Sequence, residues 1–297
     1  MAVLNDNPLR LGCTQWSDPA WRGSLYDAGS DADERLAQYC SVFGAVEGNT
    51  TFYSLPSADR VARWAELMPT DFRFCAKLPR EVSHGARLDP QSVELRQFFA
   101  RMAVLEQRLG PIWLQLPQRF GPSGLAELTR FLDQLPSEFD YAVEVRHLDF
   151  FRKDPSEQQL NRQLHQRGIE RIVFDTRALF ASADQSSATL EAQERKPRLP
   201  VHAVALSSQP VVRFVGGMDN QANLQALQPW LGKCAEWLNE GRRPMVFMHT
   251  PDNRLAPQLA RRFYQQLQQQ WVPTLPDMPS WPGELEAAQQ PQQAGLF

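Results

Sequence analysis

Residues 141–175 read YAVEVRHLDFFRKDPSEQQLNRQLHQRGIERIVFD and hold one complete strand–helix–strand unit. Tyr141–Arg146 (YAVEVR) and Arg171–Asp175 (RIVFD) are short and rich in β-branched or aromatic residues, as strands are. Between them, Asp154-Pro155-Ser156-Glu157 sets an N-cap, a first-turn proline and a capping-box acid in order. Leu160 and Leu164 continue the helix along one face, and Gly168 supplies its stop. Two strands joined through a helix in this way lie parallel.

The unit recurs outward in both directions, in pattern but not in residue identity. Leu9–Thr14, Ala45–Tyr53, Phe72–Leu78 and Pro111–Leu116 precede it; Val211–Val215 and Pro244–His249 follow. Helical stripes fill the intervals, for example Leu36, Tyr39, Cys40 and Phe43, then Val61, Trp64 and Leu67, then Leu95, Phe98, Met102 and Leu105. Leu125, Leu128 and Leu132, Leu224, Leu227 and Leu231, and Leu259, Phe263 and Leu267 continue the series. The alternation predicts an α/β protein built as a closed parallel (β/α)8 TIM barrel. An open doubly wound sheet is the rival, but it favours a glycine-rich phosphate turn after the first strand. Here that turn reads GCTQW, with no G-x-G-x-x-G.

The barrel domain is expected over residues 1–271. Residues 176–210 form a long insertion between the sixth and seventh strands, polar and with at most one short helix, either a lid or a partly mobile loop. Residues 272–297 form a Pro- and Gln-rich tail whose last dozen residues are expected to be disordered.

Composition sets outer limits. Hydrophobic residues make up 42% and charged residues 22% of the 297, an ordinary globular balance. No run of hydrophobic residues exceeds four, which excludes a membrane-spanning helix. The opening MAVLNDNPLRLG lacks the pattern of a secretory signal, so the expected location is cytoplasmic. A net charge of −3 gives no general reason to bind nucleic acid. Cys13, Cys40, Cys75 and Cys234 include no C-x-x-C pair and read as free thiols. The basic residues are almost all arginine; the lysines are Lys77, Lys153, Lys196 and Lys233.

In a parallel barrel the chemistry gathers at the C-terminal ends of the strands. Each strand-like run carries a polar residue there: Thr14 and Gln15, Glu47 and Asn49, Lys77, Gln115, Glu144 and Arg146, Asp175, Arg213, and His249. Charges on such strands are costly unless paired or solvated, so they mark a ligand-sized cup. Glu47 and Asn49, two residues apart, are expected on one face, and Glu144 and Arg146 repeat that spacing. Either the carboxylates do acid/base work or hold a cation, or they form internal salt bridges, Glu47–Lys77 and Glu144–Arg146, that close the mouth. Lys77 would bind an anion, form an imine with a carbonyl substrate or serve as counter-ion to Glu47. Arg146 and Arg213 suit a carboxylate or phosphate clamp. His84 follows a strand and is within reach of the mouth. Trp16 and Tyr53 would line the cup and stack a ring, or pack the loops. No local metal motif exists; the expectation is a site without cofactor, and the alternative is a divalent metal held across loops by Glu47, Glu144, Asp175 and His249.

Several of these residues fall in motifs that resemble one family. Gly12-Cys13 with Trp16, Trp21-Arg22-Gly23 with Tyr26, and Glu47-Gly48-Asn49-Thr50-Thr51-Phe52-Tyr53 with Pro56 are similar to the YecE-like family, domain of unknown function 72. So are Phe72-x-Phe74 with Lys77 and His84, Gln115-Leu116-Pro117 with Phe120, and Glu144-x-Arg146-His147. The resemblance implies a TIM barrel and no established activity. The chain departs from the family pattern where Thr14-Gln15 replaces Ser-Gly, where Val215 replaces a seventh-strand His, and where Met248-His249-Thr250 replaces Phe-Asn-Asn.

Three functions follow. The first is an enzyme on a small anionic molecule, with Glu47, Glu144 and Lys77 catalytic, Asn49 and Gln115 orienting, and Arg146 and Arg213 clamping. The second is a non-catalytic binding protein that keeps the cup. The third is a metal-dependent nucleic-acid enzyme, by fold analogy alone.

Overall fold

The computed structural model describes residues 7–289. Among the described residues nine strands are present, with helices between all but β6 and β7: β1 (Arg10–Cys13), β2 (Ala45–Gly48), β3 (Arg73–Ala76), β4 (Ile112–Gln115), β5 (Tyr141–Glu144), β6 (Glu170–Arg171), β7 (Val173–Asp175), β8 (Val211–Val215) and β9 (Met245–His249). Every strand pairing is parallel. The ladders make two sheets, β3-β2-β1-β9-β8-β7 and β4-β5-β6. The protein is therefore α/β with parallel sheets, as the alternation predicts. Single links run between the sheets. Lys77 and Trp113 form a parallel bridge beyond the end of β3, and only Ile172 separates β6 from β7.

The sixth predicted strand is thus two short strands, and the second is shorter than its sequence suggests. The β-type run Ala45–Tyr53 leaves the sheet after Gly48, where the backbone turns helical over Thr50–Tyr53. Thr51 directs this turn: its hydroxyl donates to the carbonyl of Lys77 at 2.7 Å and accepts from the Lys77 amide at 3.0 Å. Gly48 allows it, because a β-carbon there would lie 2.5 Å from the Phe74 ring. Helix Pro155–Gln166 starts as expected, with Asp154 accepting from the amides of Ser156 and Glu157, and Gly168 follows it with φ +64°. Glu157 does not close the capping box. Its carboxylate accepts instead from the Lys153 amide and pairs with Arg171 at 2.9 Å and His202 at 2.6 Å.

Of these partners, His202 belongs to the insertion. The insertion contains two helices, Arg177–Ala181 and Ser187–Arg195, where the sequence suggested one at most. Leu179, Ala192 and Leu199 give it a small core with Phe174 and Val215. Its return limb is fastened by His202 on Glu157 and by Glu170, which accepts from the amides of Leu206 and Ser207. The segment after Val272 also packs on the body. Trp281 is buried beneath the Arg261 guanidinium, which pairs with Glu284 at 2.8 Å. Of the dozen residues expected to be disordered, 286–289 end the helix Pro282–Gln289 and 290–297 lie outside the described residues. Among the described residues no helix is long and apolar enough to cross a membrane.

The strands sort their side chains by parity. One set joins the helices in the main core. The other set, Ala45, Cys75, Trp113, Ala142, Ile172, Val211, Met245 and Phe247, forms a separate apolar cluster made only of strand and strand-linking residues. Two residues beyond its members come Glu47, Lys77, Gln115, Glu144, Phe174, Arg213 and His249, which put a polar layer on an apolar floor.

Removing Arg171 leaves Glu157 buried without its guanidinium partner, a loss of about 3–5 kcal/mol for such a pair. Arg171→Met is expected to lower the urea midpoint accordingly and to open residues 197–210 to early protease cleavage. An unchanged midpoint would show that the network does not hold the insertion.

Candidate functional site

Arg213 organises the polar layer. Its Nε and Nη2 donate to the two oxygens of Glu47 at 2.8 and 2.7 Å, and its Nη1 donates to Glu144 at 2.6 Å. The second Glu144 oxygen takes Arg146 at 2.6 Å. Lys77 reaches Glu47 at 2.7 Å and Gln115 at 3.3 Å. The His249 Nε2 lies 3.1 Å from Glu47. Beneath them the Phe174 and Trp113 rings lie 4.5 and 5.7 Å from the Arg213 guanidinium, close enough for cation–π attraction.

Charge pairing outweighs desolvation for the acids here. Burial pushes the Glu47 carboxyl up, but Arg213, Lys77 and His249 together hold it well below the usual range. Burial likewise opposes ionisation of Glu144, and Arg146, Arg213 and Lys77 bring it down to about 2. For Arg213 the two carboxylates likewise outweigh burial and raise its pKa, whereas for Lys77 and His249 burial wins. Lys77 is lowered to about 8 by burial and then by Arg213, against the pull of Glu47 and Glu144. His249 falls to about 4 by burial, so its imidazole is neutral at pH 7.

The layer floors a cavity of about 1000 Å³. Glu47, Lys77, Gln115, Arg146, Arg213 and His249 line it, and Glu144 sits beneath. Asn49, Trp16 and Tyr53 line its side. Asn49 is not on the strand with Glu47; it precedes the short helix, and its amide donates to the Thr14 carbonyl at 3.0 Å. Arg146 also lies past its strand, yet folds back onto Glu144.

Two expected residues are elsewhere. Asp175 points to the other side of β7, where it accepts from Trp230 at 2.8 Å and pairs with Arg177. Strand parity gives the cup Phe174 instead. The proposed metal ligands Glu47, Glu144, Asp175 and His249 therefore do not converge. Among the described residues no group of three or more His, Cys, Asp or Glu side chains is arranged to hold a metal ion. His84 is absent from the cavity wall: it packs edge-on against Phe52 and bonds the Ser83 hydroxyl at 2.9 Å.

The sequence reading missed Lys196. It follows helix Ser187–Arg195 of the insertion and lines the cavity. Its ammonium makes no hydrogen bond or ion pair among the described residues. Burial, then Arg213, lowers it to about 8 against the pull of Glu47, with Arg146 and Arg195 adding to the lowering. The one signal for it was composition: two of the chain's four lysines, Lys77 and Lys196, share this cavity.

The model of the family described as "Protein of unknown function DUF72" matches residues 10–282. The chain belongs to the DUF72 family. The protein UPF0759 YecE of Escherichia coli strain K12 is 42% identical over 289 residues, covering 97% of this chain and all of that one. Among solved structures, a DUF72 family protein of Enterococcus faecalis V583 is similar with a TM-score of 0.67 at 17% identity, over 91% of this chain and 97% of that one. A DUF72 family protein of Thermotoga maritima MSB8 gives 0.63 at 19%, over 88% and 99%. These likenesses concern the fold. Within this DUF72 chain, Val215 stands where a seventh-strand histidine was expected, buried against the insertion. An imidazole comes instead from His249, whose Nε2 lies 3.4 Å from Arg213.

The lowered carboxyls imply acid sensitivity. A carboxylate with a depressed folded pKa stabilises the protein above its unfolded value and loses that contribution as the pH falls through the folded one. Glu144 thus acts from about pH 4.3 down to about pH 2. Neutral, buried His249 acts in the same direction, from about pH 6.5 down to about 4. Urea denaturation at stepped pH is expected to show stability falling below about pH 6, with a shallower slope below pH 4 in Glu144→Gln. Identical slopes would mean that Glu144 is not held ionised by its neighbours.

Proposed function

We propose that this protein binds a small anionic molecule in the cup at the C-terminal ends of its strands. Lys196 carries the reading: a half-buried cation with no ion pair among the described residues, set among Arg213, Arg146 and Arg195. A cation in such company is stabilised by an incoming anion more than by any protein group present. The balance of charge agrees. Lys77, Arg146, Lys196 and Arg213 outnumber the carboxylates of Glu47 and Glu144 beside them, while Asp33 and Asp59 elsewhere on the wall are matched by Arg60 and Arg63. Glu47 and Glu144 hold the cations in place and are too strongly paired to exchange protons near pH 7.

The reading includes closure of the strands into a (β/α)8 barrel. The separate apolar cluster, the Lys77–Trp113 bridge and the short gap at Ile172 support it. A closed ring puts every inward side chain of the polar layer around one mouth.

At matched ionic strength, inorganic phosphate is expected to raise the melting temperature above that in chloride. Lys196→Met removes the rise, and in the parent protein it fades as the pH passes about 8. No rise at millimolar phosphate would sink the reading.

Catalysis on the bound anion is a second reading, favoured by Lys77, whose amine is poised at about 8 within 2.7 Å of Glu47. Turnover of phosphate esters would then increase as the pH rises through about 8. Lys77→Arg keeps phosphate binding and loses the rate; a variant with full activity would remove Lys77 from the chemistry.

A further inference from the structure

The two sides of the cup differ in kind. The loops after β1 and β2, with helix Ala58–Leu67, contribute Trp16, Phe52, Tyr53 and Trp64. Trp16 is half-buried and stands edge-on to Trp64, with centroids 5.2 Å apart at 87°. Its backbone carbonyl accepts from the Tyr26 hydroxyl at 2.5 Å, which fixes the loop that carries it. Tyr53 is 72% exposed and lines the cavity, so its ring is open to a ligand there. Charges on this side are matched: Arg63 pairs with Asp33 at 2.7 Å and with Glu66.

The other side is cationic. Arg146 follows β5, Lys196 comes from the insertion after β7, and Arg213 stands on β8. In the six-stranded sheet β9 lies between β1 and β8, so Trp16 and Arg213 rise from strands that are not neighbours. A cavity of about 1000 Å³ is also far larger than a lone phosphate or carboxylate needs; it matches an organic ligand of drug size. A bare anion would use one wall and leave the aromatic wall idle.

We infer that the ligand joins a flat ring to its anionic group, the ring resting on Trp16 and Tyr53 and the anion on Lys196 and Arg146. The inference rests on the anion-binding reading and names the class of ligand within it. Base and aryl rings stack on such side chains through their π faces, and the gain does not depend on sequence-like detail of the ring. The anion fixes one end by charge, and the ring sets the distance to the other.

Isothermal titration calorimetry of the full chain with inorganic phosphate, glycerol 3-phosphate and phenyl phosphate separates the two parts. Phenyl phosphate is expected to bind at least about tenfold more tightly than glycerol 3-phosphate, the usual worth of one stacked ring. Trp16→Leu brings the two esters to within about twofold and leaves inorganic phosphate unchanged, whereas Trp16→Phe, which keeps the ring and its packing, retains most of the gain. Equal affinity of the two esters for the parent protein overturns the ring but spares the anion site. So does a phenyl advantage that survives Trp16→Leu. Failure of all three probes overturns both.

Discussion

Arg213 stands between two buried carboxylates that would repel each other without it. Like charges that share one guanidinium in a poorly solvated interior cannot both stay ionised without the cation that bridges them. Arg213 does so with three charge-assisted bonds, two to Glu47 and one to Glu144. Its planar fork suits the task in a way that a lysine's single ammonium does not. Glu47 Oε1 takes Lys77 alongside Arg213, and the second Glu144 oxygen takes Arg146, so the positions of these two cations follow from the position of this guanidinium. The Phe174 and Trp113 rings lie against the guanidinium and add cation–π attraction.

Much of this was legible in the chain because strands buried on both faces carry period-two information twice over. Eight runs of β-branched and aromatic residues fall on the observed strands, and the rule that polar groups gather at strand ends finds Glu47, Lys77, Gln115, Glu144, Arg213 and His249. The rule fails where it counts polarity and ignores parity. Asp175 is polar and ends a strand, but Phe174 holds the inward position, so the carboxylate meets Trp230 instead. Asn49 and the residues after it look like strand because their side chains are β-type. The tertiary bonds of Thr51, not local preference, turn them away.

Lys196 illustrates a different limit. Nothing within residues 176–210 marks one residue as facing a cavity, because the fold of the segment depends on contacts far off in sequence. Glu157 and Glu170, from the preceding strand–helix unit, hold its return limb through His202, Leu206 and Ser207. The helix Ser187–Arg195 is short and mostly polar, and its direction comes from the small core shared with Phe174 and Val215. Membership in a family with no established activity adds no functional reading of its own, so the site is argued from its own geometry.

The alternation at the end of β7 has an evolutionary consequence. Phe174 and Asp175 are adjacent, and strand geometry sends them to opposite faces. A slip of one residue in this short strand would exchange them and deliver a third carboxylate beside Glu47 and Glu144. That carboxylate would stand among the guanidinium and ammonium groups already there, and the excess of Lys77, Arg146, Lys196 and Arg213 over carboxylates would narrow without any cation being lost. A lineage carrying this scaffold is therefore one indel in β7 away from a different charge balance in the cavity, and the small core that Phe174 and Val215 share with the insertion favours the observed register.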